Sequence, residues 1–165
     1  MTAIAFTAMP TDHADQLRAG GPDAYGRPAE RRASDGDGNP CRHCLDDIAE
    51  GEGMLVASYR PFPAPQPYAE TGPVFLHAAP CARWTGAGLP PVLARRDHAM
   101  VRAYDADDRI VYGTGRTVAM AALDATAAAL LARPEVRYVH VRSASNGCFT
   151  CRVDRAAPAA ARSDG

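Results

Sequence analysis

A β-hairpin signal near the carboxyl end constrains the fold of this chain more than any other feature of the sequence. The segment YVHVRSASNGCFTCRVDR, residues 138–155, has two runs of alternating apolar and polar residues around Asn146 and Gly147, a pair that favours a hairpin turn. A three-residue loop, Ser145 to Gly147 with Gly147 left-handed, gives an apolar face of Val139, Val141, Phe149, Cys151 and Val153. The opposite face then carries Tyr138, His140, Arg142, Cys148, Thr150 and Arg152. A two-residue loop would place the valines opposite Arg152 and Asp154, so the three-residue loop is preferred.

The other apolar segments are short and favour antiparallel strands. Residues 54–59 (MLVASY) and 73–78 (PVFLHA) are each predicted to form a strand. Residues 100–104 and 109–112 are predicted to form a second hairpin around a polar turn at 105–108. Short strands joined by turns indicate an antiparallel sheet, because parallel strands need long crossover connections.

One helix is predicted, over residues 117–132, where alanine supplies helix propensity and leucines supply apolar contacts. Thr117 can cap its first turn, and Pro134 ends it because the residue before a proline disfavours helical backbone. Residues 18–40, rich in Gly, Pro, Asp and Ser, are expected to form a long irregular approach to Cys41. Residues 60–67 contain four prolines and are expected to run as a polyproline II connector.

These elements predict an α+β fold in a single domain. The domain would be mostly antiparallel sheet, with one main helix in the C-terminal half and a long irregular N-terminal segment. It is expected to span residues 1–155, and residues 156–165 are expected to be a disordered tail. A chain of 165 residues can bury a core without disulfides or a metal, so a metal site needs evidence of its own.

Charge and apolar patterning exclude several classes of function. The formal net charge of −1 argues against a dedicated nucleic-acid-binding protein, because phosphate binding needs a net basic face. No stretch approaches the roughly 18 to 20 apolar residues of a membrane helix, and the first residues lack the basic region of a signal peptide. A cytoplasmic location is therefore expected. Thiols stay reduced there, so the five cysteines are expected to be ligands, reactive groups or core residues.

Four of the chemistry-bearing residues have the spacing of a zinc site. Cys41 and Cys44 form a Cys-x-x-Cys pair in a loop, and His77 and Cys81 follow a predicted strand. Zinc favours four such ligands in a tetrahedron. The first pair resembles the knuckle of treble-clef zinc modules, although Leu45 stands where those modules usually have glycine. The alternative is that the three cysteines are small buried residues and that His77 is an ordinary hydrogen-bonded histidine.

The second Cys-x-x-Cys pair, Cys148 and Cys151, is not expected to bind a metal. Within a strand, residues three apart point to opposite faces, which places Cys151 in the core and Cys148 on the polar side. A nucleophilic pair of Cys148 and His140 is not expected either. In the preferred register His140 opposes Arg152 and lies about 13 Å along the strand from Cys148. His140 is then a half-exposed strand residue.

The chain also carries the runs PAERRASDGDGNPCRHCL, YRPF, QPYAETGPVFLHA with Cys81, VRAYD and VHVRSASNGCFTCRVDR. Together these runs resemble the bacterial family catalogued as domain-of-unknown-function family 1203, over nearly the whole chain. The family name assigns no activity, so the resemblance implies only a small cytoplasmic domain. The positions that match its general pattern are Arg42, Tyr68, Arg102, His140, Cys148 and Arg152. The resemblance makes these six an alternative site, an anion pocket built from arginines, unless they serve only in surface ion pairs and sheet packing.

The sequence thus predicts a cytoplasmic bacterial protein with a structural zinc site at Cys41, Cys44, His77 and Cys81. Two other functions stay open. One is a small-molecule enzyme or anion-binding protein with an arginine-lined pocket and a small anionic ligand. The other is a thiol-redox protein that uses its two Cys-x-x-Cys pairs. Whether the protein is an enzyme is left open, and neither a membrane nor a nucleic acid is an expected partner.

Overall fold

Two antiparallel sheets organise the chain in a computed structural model that describes residues 2–157. The elements are β1 (Ile4–Thr7), α1 (Thr11–Arg18), β2 (Glu30–Ala33), β3 (Gly53–Tyr59), β4 (Gly72–His77), α2 (Pro91–Ala94), β5 (His98–Tyr104), β6 (Arg116–Ala119), α3 (Leu123–Leu131), β7 (Tyr138–Ser143) and β8 (Phe149–Arg155). A five-stranded sheet has the order β1-β8-β7-β5-β6, and a three-stranded sheet has the order β2-β3-β4. The predicted α+β class with mostly antiparallel sheet is confirmed. Most of the predicted disordered tail, residues 158–165, lies outside the described residues.

Each sheet has its own apolar core. Helix α3 buries Leu123, Leu130 and Leu131 against the face of the larger sheet that carries Val139 and Val141. The smaller sheet packs against α1, and its cluster contains Leu17, Leu55, Leu76, Ile48 and Cys41. Full burial of each such leucine or isoleucine contributes about 1.5 to 3 kcal/mol relative to exposure. The loop between β2 and β3 contributes Cys41 to one core and Leu45 to the other. The candidate ligands lie in this loop, at the end of β4 and in the loop that follows β4.

The C-terminal hairpin has the predicted register over most of its length. His140 pairs with Arg152 and Val141 with Cys151, and Gly147 has a φ of 69°. A β-bulge then pairs Arg142 with Phe149 and leaves Thr150 as the extra residue. The loop therefore has four residues, because the amide of Ser143 donates to the carbonyl of Cys148 at 2.9 Å.

The bulge corrects the predicted position of Phe149. Its ring lies 4.8 Å from the ring of His140, so the predicted place on the valine face is wrong. The predicted half exposure of His140 is also wrong, because the residue is completely buried. Cys151 and Val153 do pack with Val139 in the core, as predicted.

The predicted strands at 54–59 and 73–78 are confirmed as β3 and β4, with shifts of one residue at their ends. The second predicted hairpin is only half right. Its turn exists, since the amide of Asp105 donates to the carbonyl of Arg109 at 2.9 Å, but Ile110 forms only an isolated bridge. The outer partner of β5 is β6, in which Thr117 pairs with Met100.

The predicted helix is therefore too long at its start. Thr117 lies in β6 and does not cap a helix; α3 begins at Leu123 after a 3-10 turn at Met120–Ala122. β-branched Thr117 and Val118 suit a strand better than a helix, and sheet pairing decides this segment. The irregular segment 18–40 also contains β2, whose four residues are all exposed and so give no apolar pattern.

Candidate metal centre

The four residues predicted as ligands come together in space. One ligand atom from each of Cys41, Cys44, His77 and Cys81 lies within 4.8 Å of the others. Cys41 is buried, and the other three are partly buried. Among residues 2–157 this is the only group of three or more histidine, cysteine or acidic side chains with such geometry. The group can hold a metal ion.

Two distances in the cluster match the edges of a zinc tetrahedron. Bonds of about 2.3 Å to sulfur and about 2.0 to 2.1 Å to nitrogen require S···S edges of about 3.8 Å and S···N edges of about 3.6 Å. The Cys41 and Cys81 sulfurs are 3.9 Å apart, and the Cys44 sulfur is 3.5 Å from Nδ1 of His77. A disulfide would need sulfurs about 2.05 Å apart, and all five cysteines are free.

A tight turn positions the first two sulfurs. The amide of Leu45 donates to the carbonyl of Cys41 at 3.0 Å, and the amide of Cys41 donates to the carbonyl of Asp46 at 2.9 Å. Leu45 has a φ of 53°, which is the conformation that explains why glycine is usual at this point of a knuckle. The leucine side chain is completely buried in the core of the larger sheet. Its burial offsets the roughly 1 to 2 kcal/mol cost of left-handed backbone.

The other two ligands are held by β4 and by helix α1. His77 is the last residue of β4, and Nε2 of its ring lies 3.3 Å from the Glu52 carboxylate. Arg18, the last residue of α1, donates to the carbonyl of His77 at 3.2 Å and to the sulfur of Cys81 at 3.1 Å. A carboxylate behind a ligating histidine fixes its ring and its tautomer. Nδ1 of His77 is therefore the nitrogen that faces the cluster.

His43 completes the surroundings from inside the Cys-x-x-Cys turn. Its Nδ1 lies 3.2 Å from the Cys81 sulfur, and its Nε2 lies 2.9 Å from the hydroxyl of Thr11. Burial first, and the charge of Arg18 second, lower the pKa of His43, so the ring is neutral at pH 7. Sequence reasoning missed Arg18, His43 and Glu52. Only His43, which lies within the motif, carried a signal in the sequence.

The three thiols have different pKa values in the absence of a metal. The hydrogen bond from Cys44, together with backbone amides, lowers the pKa of Cys41. The same hydrogen bond raises the pKa of Cys44, and burial first raises the pKa of Cys81. Cys41 is therefore the thiolate of the set. A divalent cation with three thiolates would carry a charge of −1, and the Arg18 guanidinium stands where it offsets that charge.

The structure divides the six residues of the alternative site among different surroundings. Arg42 and Cys148 line one cavity, whereas His140 and Arg152 line another. Arg102 forms an ion pair with Glu70 at the outer surface. The hydroxyl of Tyr68 lies 3.3 Å from that of Tyr112. The six residues therefore do not form one pocket.

His140 and Arg152 have environments that differ from the expected cationic patch. Rings of Phe62, Tyr104, Tyr138 and Phe149 surround His140 with centroids 4.7 to 5.1 Å away. Both ring nitrogens lack a hydrogen-bond partner. Burial first, and then the neighbouring arginines, lower the pKa of His140 well below 6.5. Arg152 is neutralised by Asp154, with contacts of 2.6 to 3.0 Å.

The two residues of the second Cys-x-x-Cys pair lie in different surroundings, and the bulge changes the strand register between them. Cys151 is buried in the core of the larger sheet, whereas Cys148 lies just before β8 and lines a cavity. Within the described part of the chain, neither belongs to a group of potential metal ligands.

Comparisons with known proteins bear on this site. A family model described as "Protein of unknown function (DUF1203)" matches residues 38–155. This span contains all four candidate ligands. No curated protein and no solved structure matches the chain. In the described part of the chain, no helix has the length and apolarity needed to cross a bilayer.

Proposed function

The chain belongs to the DUF1203 family, and we propose that this member binds one zinc ion in a closed structural site. Cys41, Cys44, His77 and Cys81 are the ligands of this proposal. One observation carries it: two edges of the cluster, one S···S and one S···N, have the lengths of a zinc tetrahedron before any ion is added. All four ligand atoms also lie within 4.8 Å of one another.

The donor set favours zinc over other divalent ions. Three thiolates and one imidazole are soft to borderline ligands, which suit zinc and exclude calcium and magnesium. Four protein ligands leave no open position for water or substrate, and an open position is the mark of a catalytic zinc. The role proposed for the ion is therefore structural.

The ion would join three segments of the chain. Cys41 and Cys44 lie in the turn before β3, His77 ends β4, and Cys81 lies in the loop that follows. The site needs reduced thiols, so the proposal also places the protein in the bacterial cytoplasm, where thiols stay reduced.

Metal analysis tests the proposal directly. Protein purified without chelators should contain about one zinc ion per chain, and Cys44→Ser should reduce that content. Cys151→Ser is the matched control, because Cys151 is a cysteine of this chain outside the cluster. A metal-free preparation that is as stable as one supplied with zinc would overturn the proposal.

Thiol counting separates zinc binding from thiol-redox chemistry. A structural site protects three cysteines from a thiol reagent until a chelator is added. A redox protein would instead lose thiols in pairs under mild oxidant, without any effect of chelator.

A further inference from the structure

A second site lies on the other side of the segment that carries Cys41. We propose that the cavity beside Arg42 binds a small oxyanion, a carboxylate or a phosphate group, through the guanidinium of Arg42 and the hydroxyl of Thr150. The cavity has a volume of about 660 Å³, a size typical of sites for small molecules. This proposal does not depend on the zinc site.

Arg42 is buried without an acidic partner. Only 3% of the residue is exposed, yet no carboxylate of residues 2–157 forms an ion pair with it. Nε donates to the carbonyl of Phe149 at 2.7 Å, and Nη1 donates to the carbonyl of Pro40 at 2.6 Å. Nη2 has no acceptor among the described residues, and it is accessible to solvent. Nη2 is therefore the atom that reaches the cavity.

A buried cation without a counter-charge is costly, which is the physical reason to expect an anion. Removing a charge from water costs several kcal/mol even after relaxation unless it is paired. Two carbonyl oxygens and the face of Phe75, whose centroid is 5.7 Å away, supply partial charges, and the sulfurs of Cys148 and Cys41 act on the charge of Arg42 without hydrogen-bonding to it. The Cys151 thiol is neutral, because burial raises its pKa to about 12. A bound oxyanion would supply the missing charge and accept the free N–H groups.

The other arginines of the cavity wall already have partners. Arg96 pairs with Asp47 at 2.7 Å, and Arg142 pairs with Glu70 at 2.7 Å. Their ion pairs leave Arg42 as the arginine of this wall without a carboxylate partner. Asp97 also lines the cavity, but it is exposed and forms no ion pair with Arg42.

The β-bulge of the C-terminal hairpin brings a second polar group to the same wall. Thr150 is the unpaired residue of the bulge, only 6% exposed, and it lines the cavity. Its hydroxyl has no side-chain hydrogen-bond partner among the described residues and is accessible to solvent. Bulges commonly direct a side chain toward a functional site. Arg42 donates to the carbonyl of Phe149, the residue before Thr150, so the two groups belong to one hydrogen-bonded unit.

Binding can be measured with two probes, inorganic phosphate and succinate, on the protein as purified. Calorimetric titration at constant ionic strength gives the dissociation constant for each, with chloride as the control anion. Saturable binding of either probe is expected, and the probe that binds more tightly identifies the oxyanion class. Cys148 lines the same cavity, so the bound probe should also slow its alkylation by iodoacetamide.

Variants connect the binding to the proposed groups. Arg42→Met should weaken binding about 10- to 100-fold, the effect of losing one charge-assisted contact. Thr150→Val should weaken it by about 3- to 10-fold, the effect of losing one neutral hydrogen bond. Arg116→Met is the control, because Arg116 is exposed on the edge strand β6 and lies outside the cavity.

Three results would overturn the anion site. They are the absence of saturable binding of both probes, equal binding by chloride, and unchanged binding by Thr150→Val together with unchanged protection of Cys148. Thr150→Val decides the matter if Arg42→Met does not fold. Zinc content is measured for every variant, so loss of the metal is recognised separately from loss of the anion.

Discussion

The metal centre predicts an order of stability that reverses when the metal is removed. The perturbations are Cys44→Ser, which removes a ligand, and Cys151→Ser, which changes a thiol in the core. Cys44 is half-buried, whereas Cys151 is completely buried in apolar surroundings. Packing alone therefore predicts that Cys151→Ser is the more harmful change.

The magnitudes follow from these environments. A hydroxyl placed at Cys151 without a partner costs about 1 to 3 kcal/mol. Structural zinc binding contributes on the order of 10 kcal/mol to folding, and loss of a ligand that weakens binding 10³- to 10⁴-fold costs about 4 to 5.5 kcal/mol. For a chain of this length each kcal/mol shifts Tm by about 2 to 4 °C. We expect Tm to fall by about 8 to 22 °C for Cys44→Ser and by about 2 to 12 °C for Cys151→Ser.

Thermal unfolding with and without a strong chelator measures both effects. In the metal-loaded protein Cys44→Ser should be the less stable variant. With the chelator present, wild type and Cys44→Ser should have nearly the same Tm. The Tm of Cys151→Ser should still be lower than that of wild type. A Cys44→Ser deficit that the chelator leaves unchanged would refute the reasoning, because the loss would then come from packing.

Three further predictions concern side chains around the two cores. Glu52→Gln should weaken zinc affinity about 10- to 100-fold in a chelator competition, because the ring of His77 loses its carboxylate partner; unchanged affinity would show that Glu52 does not orient the ligand. The pKa of His140 is lowered, so below about pH 6.5 the unfolded chain takes up a proton that the folded chain does not, and stability falls as pH falls. His140→Phe should flatten this loss between about pH 7 and pH 5 in denaturant titrations, and an unchanged pH profile would contradict it. Desolvation raises the pKa of Asp23, but hydrogen bonds from Ser58 and nearby amides outweigh this effect and lower the pKa to about 2. The Asp23 carboxylate therefore stabilises the fold above about pH 4, and this stabilisation is lost toward about pH 2. Asp23→Asn should be less stable at pH 7 and less sensitive to that acid range, and equal acid unfolding of both proteins would exclude this role.

The ligand set could be predicted from the sequence because its geometry is local. Cys41 and Cys44 need only a tight turn, and the turn forms. His77 and Cys81 need only a strand that ends near them, and the apolar run before His77 indicated that strand. The contacts of Arg18 and Glu52 could not be predicted, because they depend on how α1 and the β2–β3 loop pack against the cluster.

The errors in the hairpin have a specific origin. A three-residue loop without a bulge and a four-residue loop with one give the same pairing of Val141 with Cys151. The sequence pattern cannot distinguish these two, although they place Phe149 on different faces. The burial of His140 was missed because strand alternation shows only which face a residue occupies. It does not show that the proline-rich segment covers that face with Phe62.

The segment before β3 explains how two distinct sites can lie so close together. It runs beside β4, with a parallel bridge between Cys41 and Phe75, and the amide of Arg42 donates to the carbonyl of Phe75 at 3.0 Å. Successive side chains of extended backbone point in opposite directions, so Cys41 enters the ligand cluster while Arg42 enters the opposite wall. Leu45 then anchors the end of the segment in the core of the larger sheet. An ion bound by Cys41 and Cys44 would add to the constraint on this segment, whereas Arg42 is held on its own side by the carbonyl of Phe149 at 2.7 Å.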